Sequence, residues 1–468
     1  MTIWLPEETE RAESPAYMTI ADAIERDVAR GTLNPGDRLP THRRLARALN
    51  VTVGTVSRGY AEAERRGLTI GEVGRGTFVR HQPVEGSLYT GAPQSELAGV
   101  IDLSLSLPSE LESAPEGREL AATMRSIAEA PDVASLLAYT PDTASPRHRA
   151  VAADALRRLG VPALADRVTF TVGVQHGLTV IASAMLRPGD TVLCGELTYP
   201  GARALAQMFG LRLRPVSLDE EGIVPDALEA ACRADIAPAA LYVVPNIQNP
   251  TGAVMSAGRR EQIAEIADSY GVLVVEDDVH GFLLDDPPAP IASLIPERTV
   301  YATSLAKAVS SGLRTGILHA PEVDVPRLRA GVRSTLWMPP PLMVEITARW
   351  LEDGTAERLM AQRRVESRAR QELAARELAG YRIQAHPDSL HLWLHLPEPW
   401  RSDELVGQAR QRGVLVAGAE AFVVGRSEVP HAVRISLGRP RTREQLARGL
   451  SIIADILEGC TNPCATIL

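Results

Sequence analysis

A single lysine is prominent among the residues that could carry covalent chemistry. Lysine and arginine together number 49, and all but Lys307 are arginines. A guanidinium stays protonated in proteins and cannot act as a nucleophilic amine, whereas a lysine can. A chain that uses arginine everywhere else is therefore expected to need an amine at position 307. Chance survival of one lysine in an arginine-biased chain is the alternative, and the neighbouring residues must decide.

Lys307 belongs to the last of four polar groups that each follow a strand-like run. The spacing in Ser304-Leu305-Ala306-Lys307 places a hydroxyl and an amine on one side of a turn. The guanidinium of Arg314 can reach the same side of the turn and bind a phosphate through two N–H groups. The preceding group is Glu276-Asp277-Asp278-Val279-His280, where a carboxylate can keep a pyridinium nitrogen protonated. A surface cluster of acids is the alternative, and Asp278 is expected to be solvated.

The two earlier groups are turns that offer hydrogen-bond donors. The turn Gly173-Val174-Gln175-His176-Gly177 leads into a helix, whose backbone N–H groups and dipole can hold a phosphate. In the segment 246–252 (NIQNPTG), Pro250 and Gly252 fix a turn that presents the Asn249 amide. Either turn alone would be a weak signal.

Short β-branched runs alternate with helical patterns along the second part of the chain. The strand-like runs are Val168–Val172, Thr191–Cys194, Leu241–Val244, Val272–Val275 and Tyr301–Thr303. Segments such as Arg259–Tyr270 suit crossover helices between them. This alternation predicts a mostly parallel, doubly wound α/β sheet, whose ligands bind beyond the carboxyl ends of the strands. The four polar groups fall at those ends.

Residues 17–80 are predicted to form a winged helix, a DNA-docking layout of three helices and a two-stranded ribbon. The expected helices are Tyr17–Arg30, a helix from the N-cap Thr41 to near Asn50, and Val53–Arg66 after the N-cap Thr52. Residues 68–70 and 77–79 flank a glycine-containing turn and make the wing. From Arg38 to Arg80, nine arginines and three acids give a local net charge of +6 in a chain of net −9. Such a local excess is typical of a phosphate-backbone binder, although solvated helices also show it.

Length and composition limit the class of protein that this chain can be. A length of 468 residues suggests two to four domains, and no apolar run approaches the ~18 residues of a membrane span. The first ten residues carry acid where a secretory signal would carry base, which favours a cytoplasmic protein. Four scattered cysteines (Cys194, Cys232, Cys460 and Cys464) fit a reducing compartment. Cys460 and Cys464 are expected to be thiols on a tail rather than a metal half-site, and no metal is expected.

Residues 101–468 resemble the fold-type I aminotransferases that depend on pyridoxal 5'-phosphate (PLP). The resemblance lies in five motifs that occur in the same order: Gly-x-Gln, Asn-Pro-x-Gly, Asp, Ser-x-x-Lys and Arg. The resemblance implies that Lys307 holds PLP as an internal aldimine and that Asp277 contacts the pyridinium nitrogen. It assigns the ring hydroxyl to Asn249, ring stacking to Tyr199 and a substrate carboxylate to Arg434. The implied phosphate ligands are Gly173, Val174, Gln175, Ser304 and Arg314.

Two segments depart from that pattern. Many relatives place a tyrosine soon after the aspartate, whereas this chain has Val279 and His280. His280 is a candidate for contacting the ring hydroxyl, and the substitution puts full catalytic competence in doubt. The segment Tyr139–Arg149 only loosely matches the usual tyrosine-and-glycine stretch, so Tyr139 is a candidate for contacting phosphate from a partner subunit.

The N-terminal segment resembles the GntR winged helix through residues 39–46 (LPTHRRLA), 51–56 (VTVGTV) and 74–78 (GRGTF). The DNA contacts that this implies, mostly to phosphates, are Arg43, Thr52, Thr55, Arg58 and Arg75. Val53 stands where an arginine is common, so the base preference is expected to differ. Arg44, Arg65 and Arg66 are expected to be solvated helix charges.

A GntR winged helix joined to a fold-type I domain resembles the MocR subfamily of bacterial regulators. The expected domains are a winged helix (1–80), a linker (81–100) and an aminotransferase-like domain (101–468), with a large subdomain at about 140–335 and a small α+β subdomain mainly at 336–468. The resemblance implies a homodimer that binds operator DNA and senses an amine, amino acid or vitamer through PLP on Lys307. A metabolic aminotransferase with an appendage, or a DNA-binding scaffold with a dead pocket, are the alternatives.

Overall fold

The computed structural model describes residues 15–29, 32–33, 37–66, 68–72, 76–79, 99–111, 114–139, 144–234, 237–425 and 427–459. The chain divides into two compact units: an N-terminal unit of residues 1–91 together with 426–430, and a C-terminal unit of residues 92–425 and 431–468. Most of the predicted linker, together with Arg75, Cys460 and Cys464, lies outside the described residues. Within those residues, no helix is long and apolar enough to cross a membrane.

The N-terminal unit is a winged helix, as predicted. Its elements are α1 (Ala16–Ala29), α2 (His42–Ala48), α3 (Val53–Arg65), β1 (Thr69–Glu72) and β2 (Gly76–Val79). The two strands pair antiparallel, and Leu45 and Val56 lie fully buried in a core between the helices. Thr52 caps α3 by accepting a hydrogen bond from the Thr55 backbone N–H at 3.1 Å. The second helix is shorter than expected and ends at Ala48.

The C-terminal unit contains both helices and strands along its whole length. Its helices are α4 (Pro115–Ala128), α5 (Pro146–Arg158), α6 (Gly173–Met185), α7 (Pro200–Met208), α8 (Pro225–Cys232), α9 (Ala257–Ser269), α10 (Ile291–Leu294), α11 (Val325–Leu336), α12 (Pro341–Glu352), α13 (Thr355–Glu377), α14 (Ser402–Gln411) and α15 (Arg443–Gly459). Its strands are β3 (Ile101–Asp102), β4 (Val168–Thr171), β5 (Thr191–Gly195), β6 (Arg212–Val216), β7 (Leu218–Asp219), β8 (Gly222–Ile223), β9 (Ala240–Val243), β10 (Leu273–Asp277), β11 (Thr299–Ser304), β12 (Gly316–His319), β13 (Ile383–Gln384), β14 (His391–His395), β15 (Val414–Leu415), β16 (Ala417–Gly418) and β17 (Ala432–Ser436).

The large sheet has seven strands in the order β4-β12-β11-β10-β9-β5-β6. Strand β12 pairs antiparallel with both its neighbours, and the other neighbouring strands pair parallel. All five strands expected from the sequence belong to this sheet, which confirms the mostly parallel α/β prediction. The connections between parallel strands place helices on both faces.

Alternation along the strands decides which side chains share a face. Tyr242 and Val275 pack in the core formed with α6 and α11, whereas Val243 and Val274 pack in the core formed with α8 and α9. Because successive side chains of a strand point to opposite faces, Asp277 shares the face of Val275. Its neighbour Glu276 points the other way.

The smaller sheet has the antiparallel order β13-β14-β17-β16 and packs with α14 and α15. Strand β3 pairs with β15, and Ile101 and Leu103 join this second core. Helix α12 packs instead in the core of the large sheet, where Trp350 is buried. The core of the small subdomain therefore includes residues at the beginning of the C-terminal unit and excludes α12.

Candidate functional site

The predicted site residues of the C-terminal unit meet at one edge of the large sheet. Gly173 follows β4, Tyr199 follows β5, and Asn249 lies in the loop after β9. Asp277 ends β10, and Ser304 ends β11, with Lys307 in the turn that follows. Because β5, β9, β10 and β11 run parallel, their carboxyl ends lie side by side.

Lys307 supplies a buried amine at the centre of this edge. Its Nζ atom donates a hydrogen bond to the Ser106 carbonyl oxygen at 2.5 Å. The pKa of Lys307 is lowered to about 8, chiefly by burial and also by the charge of Arg434, while Asp277 opposes the shift. At neutral pH an appreciable fraction of this amine is therefore deprotonated, which is the reactive form.

Asp277 is the carboxylate that faces the same side. Its Oδ2 atom accepts a hydrogen bond from the Tyr242 hydroxyl at 2.7 Å, and its Oδ1 atom accepts one from the Val279 backbone N–H at 3.3 Å. Burial raises the pKa of Asp277 to about 6, against the effect of the Tyr242 hydrogen bond. A cationic ring nitrogen placed beside this carboxylate would favour its charged form.

Asp278 corrects one expectation, because it is buried rather than solvated. Its Oδ1 atom accepts from the Asn246 amide at 2.8 Å and its Oδ2 atom accepts from the Tyr301 hydroxyl at 2.5 Å. Asn246 in turn accepts from Arg260 at 2.6 Å. Tyr301 packs in the core opposite the face of Asp277. Asp278 therefore supports the strand end from the other side of the sheet.

Glu276 completes this run of acids without facing the site. Its two carboxylate oxygens accept hydrogen bonds from the backbone N–H groups of Ile291 and Ala292, at 2.9 and 2.8 Å, at the start of α10. Burial raises the pKa of Glu276 to about 7. The three adjacent acids are thus all buried, which excludes the alternative of a surface acid cluster.

The start of α6 forms a cradle with an arginine on its rim. Gly173 has φ +77°, and a Cβ atom there would come within 2.8 Å of the Arg314 guanidinium. That guanidinium donates to the Val172 carbonyl oxygen at 3.3 Å, and the Arg314 side chain is exposed. Val174 and Ser304 are buried beside this helix end. The positive φ favours glycine here, because other residues rarely adopt this conformation.

Gln175 and Tyr199 close another side of the cradle. The Gln175 amide donates to the Gly201 carbonyl oxygen at 3.2 Å, and its Oε1 atom is buried with no hydrogen-bond partner among the described residues. A Cβ atom at Gly201 would clash with the Tyr199 ring. Tyr199 is half-buried at the N-terminus of α7, which leaves part of its ring accessible.

Arg434 links the small sheet to the Asn249 turn. Its Nη1 atom donates to Asn249 Oδ1 at 2.7 Å, and its Nη2 atom donates to the Ser104 carbonyl oxygen at 2.5 Å. The guanidinium also lies 4.9 Å from the centroid of the Phe422 ring, within the range of a cation–π contact. Because Asn249 accepts through Oδ1, its Nδ2 group is the donor that it can direct to a ligand.

His280 is fully enclosed, and neither of its ring nitrogens has a hydrogen-bond partner among the described residues. Burial lowers the pKa of His280 to about 3, helped by the charge of Lys307. The ring is therefore a neutral imidazole with one donor and one acceptor.

These residues fit PLP on features of the site itself. The amine of Lys307 matches an aldehyde, and the buried carboxylate of Asp277 matches a ring nitrogen. The ring nitrogens of His280 match a ring hydroxyl, and the glycine at the start of α6 matches a phosphate. PLP supplies an electron sink when it is bound. Within this set, Lys307 would hold the group covalently and Asp277 would hold the proton on its ring nitrogen.

Three contributions were missed by the sequence analysis. Tyr242 bonds Asp277, and its signal was a hydroxyl inside an otherwise aliphatic strand. The carbonyl groups of Ser104 and Ser106 contact Arg434 and Lys307, and no side-chain pattern could have indicated them. His391, at the start of β14, lies beside His280 with 6.0 Å between the ring centroids.

The predicted DNA-contact residues in the described part of the winged helix lie on α2 (Arg43), at the beginning of α3 (Thr52 and Thr55) and in the middle of α3 (Arg58). Arg43 and Arg58 are exposed, and the Arg58 guanidinium lies 5.5 Å from the centroid of the Tyr17 ring. The hydroxyl groups of Thr52 and Thr55 lie 2.8 Å apart at the start of α3. A helix start with small polar side chains is suited to close approach to a nucleic-acid groove.

Arg66 was expected to be a solvated charge, and this expectation is wrong. Its side chain is only 2% exposed, and its Nη1 atom lies 2.8 Å from Asp22 and 2.9 Å from Glu25. Its Nε atom lies 2.8 Å from Glu62. Arg66 thus ties the end of α3 to α1, whereas Arg65 makes an ion pair with Glu62 on a partly exposed surface.

Comparisons with known proteins match both units. The model of the aminotransferase class I and II family matches residues 104–453, and that of the gntR family of bacterial regulatory proteins matches residues 16–79. The uncharacterized HTH-type transcriptional regulator YdeF of Bacillus subtilis is 29% identical over 98% of this chain and 97% of its own length. The vitamin B6 salvage pathway transcriptional repressor PtsJ of Salmonella typhimurium is 28% identical over 89% of this chain and 93% of its own.

Among solved structures, the α-aminoadipate aminotransferase LysN of Thermus thermophilus, crystallised with N-(5'-phosphopyridoxyl)-L-leucine, superposes with a TM-score of 0.70 at 25% identity. The match covers 81% of this chain and 97% of LysN. The fold of the C-terminal unit is therefore that of a PLP-dependent aminotransferase.

Proposed function

Since the chain belongs to the aminotransferase class I and II family and joins that domain to a gntR-family winged helix, as MocR-type regulators do, we propose that it regulates transcription in response to a small molecule. The winged helix binds double-stranded operator DNA. PLP, held covalently by Lys307, detects an amine, an amino acid or a vitamin B6 vitamer. This role places the protein in the cytoplasm.

The observation that carries this proposal is the environment of Lys307. The chain's one lysine lies in the pocket with its pKa lowered by burial, close enough to Asp277 for the two charges to act on each other. A metabolic aminotransferase, the second candidate, would use the same groups. The complete winged helix favours regulation, because an enzyme has no need of a capped recognition helix on a basic segment.

Two features support the expected classes of effector. Arg434 places a guanidinium in the pocket, where it can form a bidentate pair with a carboxylate. The relative PtsJ is named as a repressor of vitamin B6 salvage, which supports a vitamer as the alternative.

A homodimer is part of the proposal. Leu137 is 89% exposed, Tyr139 is 79% exposed and Trp337 is 58% exposed, and the last two rings form an edge-to-face contact with centroids 6.0 Å apart. Clusters of large exposed apolar side chains mark interaction surfaces. We propose that a second copy covers this cluster and that Tyr139 reaches the phosphate of the partner's cofactor.

The test uses the purified full chain reconstituted with PLP. Wild-type protein should be yellow and should retain PLP after borohydride reduction, whereas Lys307→Ala should lose both properties. No other lysine exists, so only the N-terminal amine could compete. Because only the deprotonated amine attacks the aldehyde, the attachment rate should rise as the pH is raised through about 8. A reducible adduct of unchanged yield in Lys307→Ala would contradict the role of Lys307.

DNA binding is tested separately, by footprinting the wild-type protein on the region upstream of its own gene. Protection there supports regulation over metabolism. Addition of single amines, amino acids and pyridoxine vitamers should then change both the absorbance and the footprint for the true effector. Absence of any protein–DNA complex would favour the metabolic aminotransferase.

A further inference from the structure

Two buried histidines lie close enough to Lys307 and Arg434 for these charges to act on their rings, and they have no role in the proposed function beyond the candidate contact of His280 with the PLP ring. His280 is 3% exposed and His391 is 0% exposed. Their ring centroids lie 6.0 Å apart, and the rings are tilted by 54°. Nδ1 of His391 has no hydrogen-bond partner among the described residues, although it is buried. A buried polar atom of this kind is costly unless a ligand satisfies it.

The tautomer of His391 follows from its neighbour. Its Nε2 atom lies 3.3 Å from the Gln248 carbonyl oxygen, which can only accept a hydrogen bond. Nε2 therefore carries the proton. Burial lowers the pKa of His391 well below its usual value, and the charge of Arg434 adds to the shift, so the ring is neutral. Nδ1 is consequently a hydrogen-bond acceptor, and within the described part of the chain no donor lies at bonding distance from it.

Strand register places this acceptor on the side of Arg434. Strands β14 and β17 pair antiparallel, with His391 opposite Ser436 and Trp393 opposite Arg434. Directly opposed residues point to the same face, and so do residues two apart on one strand. His391 and Arg434 therefore lie diagonally on the same face of the small sheet. A ligand whose carboxylate binds Arg434 would therefore lie against the face of the small sheet that carries His391.

The charges around His391 restrict the donor that can bind there. Lys307 and Arg434 already act on this ring, so a cationic side chain would add a further positive charge to a buried site. A carboxylate side chain offers acceptors and no donor, which leaves Nδ1 unsatisfied. A neutral hydroxyl or amide N–H meets both conditions.

We propose that Nδ1 of His391 accepts a hydrogen bond from a neutral donor, a hydroxyl or amide N–H, on the side chain of an α-amino acid whose carboxylate Arg434 binds. The proposal rests on the proposed function and selects amino acids with neutral polar side chains among the effectors considered there. His391 is then a specificity-determining residue, while Lys307 and Asp277 serve every effector alike.

The experiment compares L-serine with L-alanine, which differ by one hydroxyl. The dissociation constants of the two amino acids are measured from the change in absorbance of PLP-loaded, full-length protein. Wild type should bind serine about ten-fold more tightly than alanine, because alanine leaves the buried acceptor unsatisfied. In His391→Phe, which keeps a ring and removes the acceptor, this ratio should fall to about one.

Two further variants distinguish loss of the hydrogen bond from a general disturbance of strand β14. His391→Asn can place its side-chain oxygen near the position of Nδ1, and it should recover part of the preference for serine. His395→Phe makes the same substitution on the same strand, four residues away and outside the proposed contact, and it should keep the wild-type ratio. Loss of the ratio in both phenylalanine variants would overturn the proposal, since it would then reflect disturbance of β14.

The outcomes also separate this proposal from the proposed function. Equal affinities for serine and alanine in wild type overturn the role of His391 and leave the sensing function intact. A preference for serine that survives in His391→Phe does the same. If the PLP-loaded protein responds to neither amino acid, this inference is overturned, and the screen with amines and vitamers decides the fate of the function.

Discussion

The winged helix and the PLP pocket both bury polar and charged side chains, but they satisfy them differently. In the winged helix, the enclosed guanidinium of Arg66 contacts three carboxylates within 3 Å. In the pocket, His280 and His391 have ring nitrogens without partners among the described residues. Burial lowers the pKa of Lys307 and raises the pKa of Asp277, which favours the neutral form of each group.

This difference separates scaffold from site. A buried charge with a full set of partners stabilises the fold, and its removal is felt as a loss of stability. A buried polar group that lacks partners lowers stability unless a ligand supplies them, so it marks a place where a ligand acts. Variants in the two regions should therefore differ in which measurement they change.

The adjacent aspartates give the sharpest form of this comparison, with the largest expected effect. Asp277→Ala should weaken PLP binding by several kcal/mol or shift its absorbance band, because it leaves a buried pyridinium without a counter-charge. Asp278→Ala should lower the free energy of unfolding by about 2 kcal/mol, because Tyr301 and Asn246 lose their acceptor. PLP titration by absorbance and denaturant unfolding of the same samples measure both quantities.

Asp277→Asn and Asp278→Asn serve as shape-matched controls, since each keeps one side-chain oxygen. Asp277→Asn should still disturb PLP, because charge is what it lacks, whereas Asp278→Asn should regain much of its stability. If the two alanine variants alter the PLP band equally, the assignment of Asp277 to the cofactor face is wrong.

The sequence could predict Asp277 but not the role of its neighbours. The motif order around Asp277 and Lys307 indicated the site, whereas the face on which Asp277 lies follows only from the packing of β10 in the structure. The burial of Asp278 depends on Tyr301, which lies within β11, and on Asn246, which follows β9, and these residues are brought together only by the sheet order. Local spacing carries no information on such contacts.

The same limit applies in the winged helix and the small subdomain. The helices and the wing were predictable from caps, glycines and periodicity. Arg66 looked like a surface charge because its partners Asp22 and Glu25 lie 44 and 41 residues earlier in the sequence, on another helix of the same unit. The pairing of β3 with β15 spans about three hundred residues and has no local signal. His391 was overlooked because it lies in a short strand with no motif around it.

Arg66 tests the scaffold side of the comparison. Arg66→Met keeps much of the side-chain volume and removes the charge, so the winged helix should lose on the order of 2 kcal/mol, since Asp22 and Glu25 stay partly solvated. Arg65→Met is the matched control on the more exposed side of α3 and should cost less than about 1 kcal/mol. Thermal unfolding followed by far-ultraviolet circular dichroism measures the first transition, and PLP absorbance should stay unchanged. If the two variants lose equal free energy of unfolding, a buried charge with a full set of partners contributes no more to stability than a surface charge does.

The exposed arginines should change DNA binding rather than stability. Arg43→Ala and Arg58→Ala should each reduce the slope of log affinity against log salt by about one unit, because each removes one phosphate contact. Labelled random-sequence duplex, titrated at several salt concentrations, gives the slopes. Lys307→Ala is the control in the other unit and should leave the slope nearly unchanged. Tyr17→Leu shows whether the ring beside Arg58 matters for its contact. Wild-type slopes in both arginine variants would mean that the winged helix docks through another face.

Val53 gives the smallest expected effect and concerns which bases the winged helix contacts. It is the first residue of α3 and is 45% exposed, and no lysine or arginine occurs between Thr52 and Ser57 to form a bidentate contact with guanine. An exposed valine at this position suits the methyl group of thymine, and burial of one methyl group is worth about 0.8 kcal/mol, or about four-fold in affinity.

The measurement starts from the duplex that wild-type protein enriches from a random pool. Each thymine in turn is replaced by deoxyuridine, which removes only the methyl group. In each half-site, one of these single replacements should weaken wild-type binding about four-fold. The same replacement should not affect Val53→Ala, because that variant has already lost the side chain that contacts the methyl group. Val53→Arg should instead enrich guanine at that position, since arginine bonds the O6 and N7 atoms of guanine. If no thymine is sensitive in wild type, or if Val53→Ala is as sensitive as wild type, the start of α3 does not contact a thymine methyl group through Val53, and base preference must come from the wing or from DNA shape.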